Sequence, residues 1–194
     1  MGRLVYTAIA SLDGYTVDAD GDCSWAAPDE EVRAAVNDLH RDVGTHLHGR
    51  RIYEVMAAWE TAGDDEDDED DEPVIRDFAP LWRRAAKVVY STTLDPVAFA
   101  AQAGPRPHLE PVFDPAVVRA QVEVADHVVG IGGPTLAAHA LHAGIVDELQ
   151  LVVVPTVVGG GTAYLPDGVR LGLRLIDERR FAGGAVLLRY ATGS

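Results

Sequence analysis

Three junctions in this chain carry residues suited to hold phosphate. The fullest lies within Val128 to Leu141, where an apolar run stops at Gly132-Gly133 and Pro134-Thr135-Leu136 opens a helical pattern. Gly133 lets the backbone turn or approach a ligand, and Pro134 suits the first helical position, where a missing N–H is no loss. The unpaired amides of that first turn, with the helix dipole, favour an anion. The same spacing also fits a tight strand–helix turn with no ligand. Gly49-Arg50-Arg51 is a second strand–glycine–helix junction, and arginine is the usual choice for phosphate, although the pair also fits surface charge. Ser91-Thr92-Thr93 places three hydroxyls at the end of a third apolar run.

Two carboxylates are candidate acids. Asp13 stands in Ser11-Leu12-Asp13-Gly14, where a strand breaks. It reads either as a group facing a cleft or as an Asp supporting its own turn. Glu30 lies in Pro28-Asp29-Glu30-Glu31, which also has the form of an ordinary helix start, acids at its positive end. Trp25, in a polar loop, reads as a cover over a ligand or as the loop's anchor. No metal site is expected. Cys23 is the only cysteine, and His139 and His142 share a helix face without a third ligand.

Composition narrows the partners. Of 194 residues, 47% are apolar and 24% charged, ordinary for one soluble domain spanning 1–194. The net charge of −15 is concentrated: Asp64 to Glu72 are nine consecutive acids, and outside them 22 acids face 16 bases. Such a run reads as a solvated, mobile loop. This balance argues against nucleic acid, which needs a basic face. The longest apolar stretch, Leu149–Val158, is too short for a membrane span and is broken by Pro155. With no leader and a lone cysteine, the expected location is cytoplasmic.

The elements that must position these residues follow from periodicity. Leu4 to Leu12 reads as a buried strand. Val32, Ala35, Val36, Leu39 and Val43 mark a helix, with Gly44 as its stop. Thr45–His48 is a short strand before a helix carrying Ile52, Val55, Met56 and Trp59. Val74, Ile75, Phe78, Leu81 and Trp82 mark another helix, and Lys87–Tyr90 a strand. Leu94 to Pro111 is assigned as loop. Asp114-Pro115 caps a further helix. Val146–Val158 reads as one long strand whose proline marks a bulge or edge. Leu173–Phe181 and Ala185–Ala191 form a hairpin around Gly183-Gly184. The expectation is an α/β fold: a mostly parallel central sheet flanked by about four helices, with a C-terminal antiparallel hairpin. Ligands of such sheets bind outside the carboxyl ends of the strands, where all three junctions fall. An ordinary Rossmann domain fits poorly, because position 135 is Thr where a third glycine is required.

The residues together resemble the dihydrofolate reductase-like superfamily, and most closely stand-alone relatives of the reductase domain of bacterial riboflavin biosynthesis. The resemblance rests on Ser11-Leu12-Asp13-Gly14, Gly49-Arg50-Arg51-Ile52-Tyr53-Glu54, Ser91, Gly132-Gly133 with Leu136, Val146-Asp147-Glu148-Leu149, and Pro155 through Gly159-Gly160-Gly161. It implies a three-layer fold that binds NADPH along the strand ends. Gly132, Gly133, Pro134 and Thr135, with Leu136, would hold the pyrophosphate. Gly49, Arg50 and Arg51 would lie near the 2′-phosphate and the other side of the pyrophosphate, and Ser91 and Thr92 at the adenine ribose phosphate. Ala10 to Gly14 would flank the nicotinamide, with Thr162 near the loop over it, and Asp13 would be the acid in the pocket. By position, Trp25 and Glu30 fall where dihydrofolate reductase has its loop Trp and pocket carboxylate. The implied activity is hydride transfer to a C=N or C=O of a small heterocyclic or sugar-derived substrate. The alternatives are a pterin reductase or a catalytically weak NADPH-binding protein. Relatives also imply a homodimer, with Leu149–Val158 as an interface strand. Ile52 departs from the resemblance, which expects Thr there. The deaminase zinc signature is absent from the chain.

Overall fold

The computed structural model describes residues 2–62, 73–103 and 107–193. The acidic run at 64–72 lies outside them. Six strands run parallel: β1 (Arg3–Ser11), β3 (Val43–Gly49), β4 (Ala86–Tyr90), β5 (Pro107–Glu110), β6 (Val128–Gly132) and β7 (Glu148–Val154). β9 (Leu173–Arg180) and β10 (Val186–Thr192) join as antiparallel neighbours, giving the order β5-β4-β3-β6-β1-β7-β10-β9. A separate ribbon pairs β2 (Tyr15–Val17) with β8 (Thr162–Ala163). The central strands are largely apolar on both faces because helices cover both, with buried His46, His48, Glu148 and Gln150 among the exceptions. This is the expected α/β, dihydrofolate reductase-like architecture with its C-terminal hairpin.

Three helices begin at an Asp whose carboxylate satisfies first-turn amides. Asp29 accepts from the Val32 amide at 2.9 Å to start α1 (Glu30–His40). Asp114 accepts from Ala116 at 2.8 Å to start the helix Pro115–Val124. Asp95 accepts from Ala98 at 2.8 Å to start Pro96–Ala103. With α2 (Arg50–Met56), α3 (Pro73–Arg84) and the helix Pro134–His142, the described residues contain six α-helices rather than about four. In chain order Pro96–Ala103 is α4, Pro115–Val124 is α5 and Pro134–His142 is α6.

One apolar cluster joins Leu4, Tyr6, Val129, Ile131 and Leu149 to Val118 and Val122 of α5 and Leu136, Ala137, Ala140 and Leu141 of α6. On the opposite face Val32 and Ala35 of α1 pack on Val152, Val154 and Leu187. A third cluster gathers Tyr53, Phe78, Leu81, Trp82 and Phe99.

Three sequence expectations are corrected. The stretch Leu94–Pro111 contains α4 and the edge strand β5, because Asp95-Pro96 caps a helix as Asp114-Pro115 does. Gly44 lies inside β3, not at a helix stop; a Cβ there would fall 2.5 Å from the His127 ring. Val146–Val158 is shortened to β7, which ends at Val154, before the proline that cannot donate to a ladder. β7 is paired on both edges, with β1 and β10, and so has no free edge.

Candidate active-site cleft

Register brings the three junctions together. His48 lies opposite Gly132, and Gly49 opposite Tyr90. Their loops therefore leave from three adjacent strands, about 5 Å apart. β1 pairs with β6 only as far as Tyr6–Ile131 but with β7 as far as Ser11–Val154. β1 and β7 thus rise as a wall roughly 13 Å above the shelf formed by β6, β3 and β4. An elongated ligand on the shelf would lie against that wall.

On the shelf, two glycines are sterically required. A Cβ at Gly132 would fall 2.7 Å from the His48 ring, and Gly133 adopts φ 88° with Ile52 Cγ2 only 3.2 Å from a Cβ position. The Ile52 methyl therefore packs on the glycine turn where a Thr would have offered a hydroxyl. α6 begins at this turn with no side-chain cap, which leaves the first-turn amides of Thr135 and Leu136 without a side-chain acceptor. The Leu136 side chain belongs to the core. Pro134, Thr135, Gly161 and Thr162 border an open groove of about 390 Å³, so the sequence-predicted pair of α6 start and Thr162 does meet.

Beside it, Arg50 donates to Thr93 Oγ1 at 3.2 Å and lies 3.5 Å from Glu54. Arg51 is exposed and has no partner among the described residues. Ser91 Oγ accepts from the Thr93 and Leu94 amides, both at 3.2 Å, and so builds the turn rather than standing free. Thr92 is exposed. Thr93, not singled out by position, is the hydroxyl that fixes Arg50.

On the wall the candidates separate. Ala10 has no exposed surface and lies in the core. Gly14 turns with φ 91°, and its carbonyl accepts from the Tyr164 amide at 2.8 Å. Asp13 accepts from the Val158 amide at 3.2 Å and the Gly159 amide at 2.7 Å. The Ser11 hydroxyl, then these two amides, hold its carboxyl below the ordinary value. It is a charged clamp on the turn after β7. Glu30 is an exposed first-turn residue of α1. Trp25 donates its Nε1–H to the Asp22 carbonyl at 3.0 Å and packs on the α1 cluster, as a loop anchor does.

Behind the shelf lies a set of groups that only the structure reveals. His40, His46 and His48 are spaced 5.6 and 5.3 Å ring to ring, and His48 stacks on Trp82 at 5.5 Å. Lys87 Nζ sits 4.8 Å from the Trp82 ring centre and 2.9 Å from the Glu60 carboxylate. Burial drives His46 well below its ordinary pKa, with His48, His40 and Lys87 adding to it. Burial, then His40 and Lys87, pushes His48 down to about 3. Alternate residues on β3, His46 and His48, were the sequence signal for one shared face.

The comparisons with known proteins agree with this architecture. The chain is 23% identical to the Bacillus subtilis (strain 168) uncharacterized protein YyaP, over 97% of this chain and 94% of that one. A structure from Shewanella sp. PV-4, provisionally assigned to riboflavin biosynthesis, has a TM-score of 0.73 at 18% identity and covers 99% of both chains. A Thermotoga maritima diaminohydroxyphosphoribosylaminopyrimidine deaminase/5-amino-6-(5-phosphoribosylamino)uracil reductase has a TM-score of 0.65 at 16% identity, covering 99% of this chain and 57% of that longer one. The RibD C-terminal domain family matches residues 3–187, and with the shelf, wall and strand order in place the chain belongs to that family.

Proposed function

We propose that this protein is an NADPH-dependent reductase acting on a C=N or C=O of a small heterocyclic or sugar-derived substrate. The observation that carries the reading is the start of α6, with no side-chain cap, on the same shelf as the Ser91–Thr93 turn and Arg51, which has no partner among the described residues. Amides and a guanidinium so aligned suit the pyrophosphate and the ribose phosphate of a dinucleotide. The reductase named among the structural relatives supports the same class.

NADPH would supply hydride from nicotinamide C4. This chain's part is to bind, orient and exclude water. Thr135 and Leu136 amides would hold the pyrophosphate, Arg51 the 2′-phosphate, with Arg50 steadied by Thr93. The top of the wall, Ser11 to Gly14, would border the nicotinamide, and the β2–β8 ribbon carrying Thr162 would close one side. Asp13 holds the turn and is ionised at neutral pH, so the proton would come from another group or from water.

That engagement of Asp13, and the solvent-facing Glu30, favour a second reading: an NADPH-binding protein with little catalysis. Incubation with NADPH deuterated at C4 and a panel of pterins, pyrimidine ribityl precursors and quinones separates the two. Deuterium in a product supports the reductase; tight binding with no oxidation across the panel supports the second reading. For the homodimer, the outer strands are β5 and β9, and on β9 Leu173, Leu175 and Ile176 are exposed. A solution mass of one chain would remove it.

A further inference from the structure

The last three strands of the sheet, β7, β10 and β9, differ between their two faces. On one face Val152 and Val154 of β7 and Leu187 of β10 are buried against α1. Side chains alternate along a strand, and residues directly opposite on an antiparallel ladder share a face. The other face therefore carries Leu151 and Val153 of β7 beside Leu188 and Val186 of β10. There α5 and α6 pack over β6 and β1, and their cluster reaches Leu149 and the partly buried Leu151. Val153, Val186 and Leu188 are each partly exposed and belong to none of the three apolar clusters. Leu175 and Leu173, opposite Tyr190 and Thr192, extend the band onto β9, where they are 46% and 43% exposed. The three strands present roughly 300 Å² of sheet face, a size at which an apolar patch is often a contact surface.

The charges bordering the patch say what it fits. Glu178 stands opposite Leu188 and Arg180 opposite Val186, so both lie on this same face, and both are exposed. Neither side chain has a partner among the described residues. A two-fold contact presents one surface to itself and must be self-complementary. Opposite charges two residues apart on one strand meet that condition, because a half-turn exchanges their places. A partner of either sign alone would leave one of the two unmatched. The free edge of β9 is a poorer route to association. Its ladder skips Ile176, and Asp177 to Arg180 are all charged, features that protect an edge from pairing.

We propose that this sheet face is the contact between two copies of the chain, joined about a two-fold axis that crosses the strands at Leu187. Leu188 of one copy then lies over Val186 of the other, Leu151 over Val153, and Glu178 over Arg180. The packing is sheet on sheet, with the two sheets about 10 Å apart. The patch supplies the dry interior, and the segments around it the polar rim, of an interface of roughly 800 Å² from each copy. The reading of the shelf as a dinucleotide site plays no part in this proposal.

Sedimentation equilibrium of the full chain, from nanomolar to high micromolar concentration, should give the mass of two chains. Glu178→Arg and Arg180→Glu each set like charges against one another across the axis, and each should raise the dissociation constant at least about tenfold. The double variant restores opposite pairs and should return the constant close to its original value. Leu188→Lys should also separate the copies, with circular dichroism showing that the variant is folded; if it does not fold, the charge reversals at exposed positions still decide. A mass of one chain at every concentration overturns the proposal. A dimer unmoved by either single reversal, a double variant that stays apart, or a folded Leu188→Lys dimer overturns it as well, the last placing the contact on a strand edge.

Discussion

Asp13 keeps both carboxylate oxygens on the main chain of the turn after β7, which fixes its position, and the Ser11 hydroxyl together with those two amides keeps it ionised. Asp13→Asn should loosen that turn and lower the thermal midpoint. The pH dependence of hydride transfer should keep its position; loss of a limb in which the rate falls as pH rises through a carboxyl pKa would show that Asp13 is the proton donor. Gly133 makes a different kind of demand. Gly133→Ala imposes a side chain at φ 88° and presses on Ile52 at 3.2 Å. The strain is about 1–3 kcal/mol, and by displacing the α6 start it should also weaken NADPH binding in a fluorescence titration. Gly168→Ala, at φ 79° with nothing within 4 Å of the added Cβ, should cost stability and leave that affinity unchanged.

The residue types of the shelf were legible in sequence because each junction is local: glycine, then arginine or proline, directly after an apolar run. The clamp was not. Its partners lie 145 and 146 residues away from Asp13, and no periodicity reports such a contact. Thr92 and Thr93 differ only in rotation at the strand end, so position alone could not tell which hydroxyl meets Arg50.

At the scale of elements, β3 and α3 meet through the histidine stack, which makes the α3–sheet contact sensitive to acid. The folded state holds His46 and His48 neutral, while an unfolded histidine titrates near 6.5. Below about pH 6.5 the unfolded chain therefore binds more protons, and stability falls with pH, by roughly 1.4 kcal/mol per pH unit for each ring in that window. The loss continues until the folded-state rings titrate, near pH 3 for His48. The groups facing the rings are His40 from α1, Lys87 from β4 and Glu60 from the turn after α2. Replacing both rings, His46→Leu with His48→Leu, should move the acid-unfolding midpoint followed by circular dichroism to lower pH. An unchanged midpoint would place the acid-sensitive contact elsewhere. Helices with a continuous apolar stripe were legible in sequence. α4 was hidden because Pro and Gly around it outweigh the eight residues it spans, and β3 extends past Thr45–His48 because its ladder with β6 continues to Val43.

For the whole molecule, the order of strands, helices and final hairpin followed from the alternation of periods. The step between shelf and wall did not, because it depends on where two ladders stop, at Tyr6–Ile131 and at Ser11–Val154. Thermal unfolding with and without the dinucleotide reads whether the shelf holds NADPH. At a hundredfold excess over its dissociation constant a ligand adds about 2.7 kcal/mol, which for a chain of this size is a rise of roughly 5–10 °C. NADPH should give that rise, NADH less, and Arg51→Gln should remove most of the difference between them. No rise with NADPH at any concentration would contradict the account.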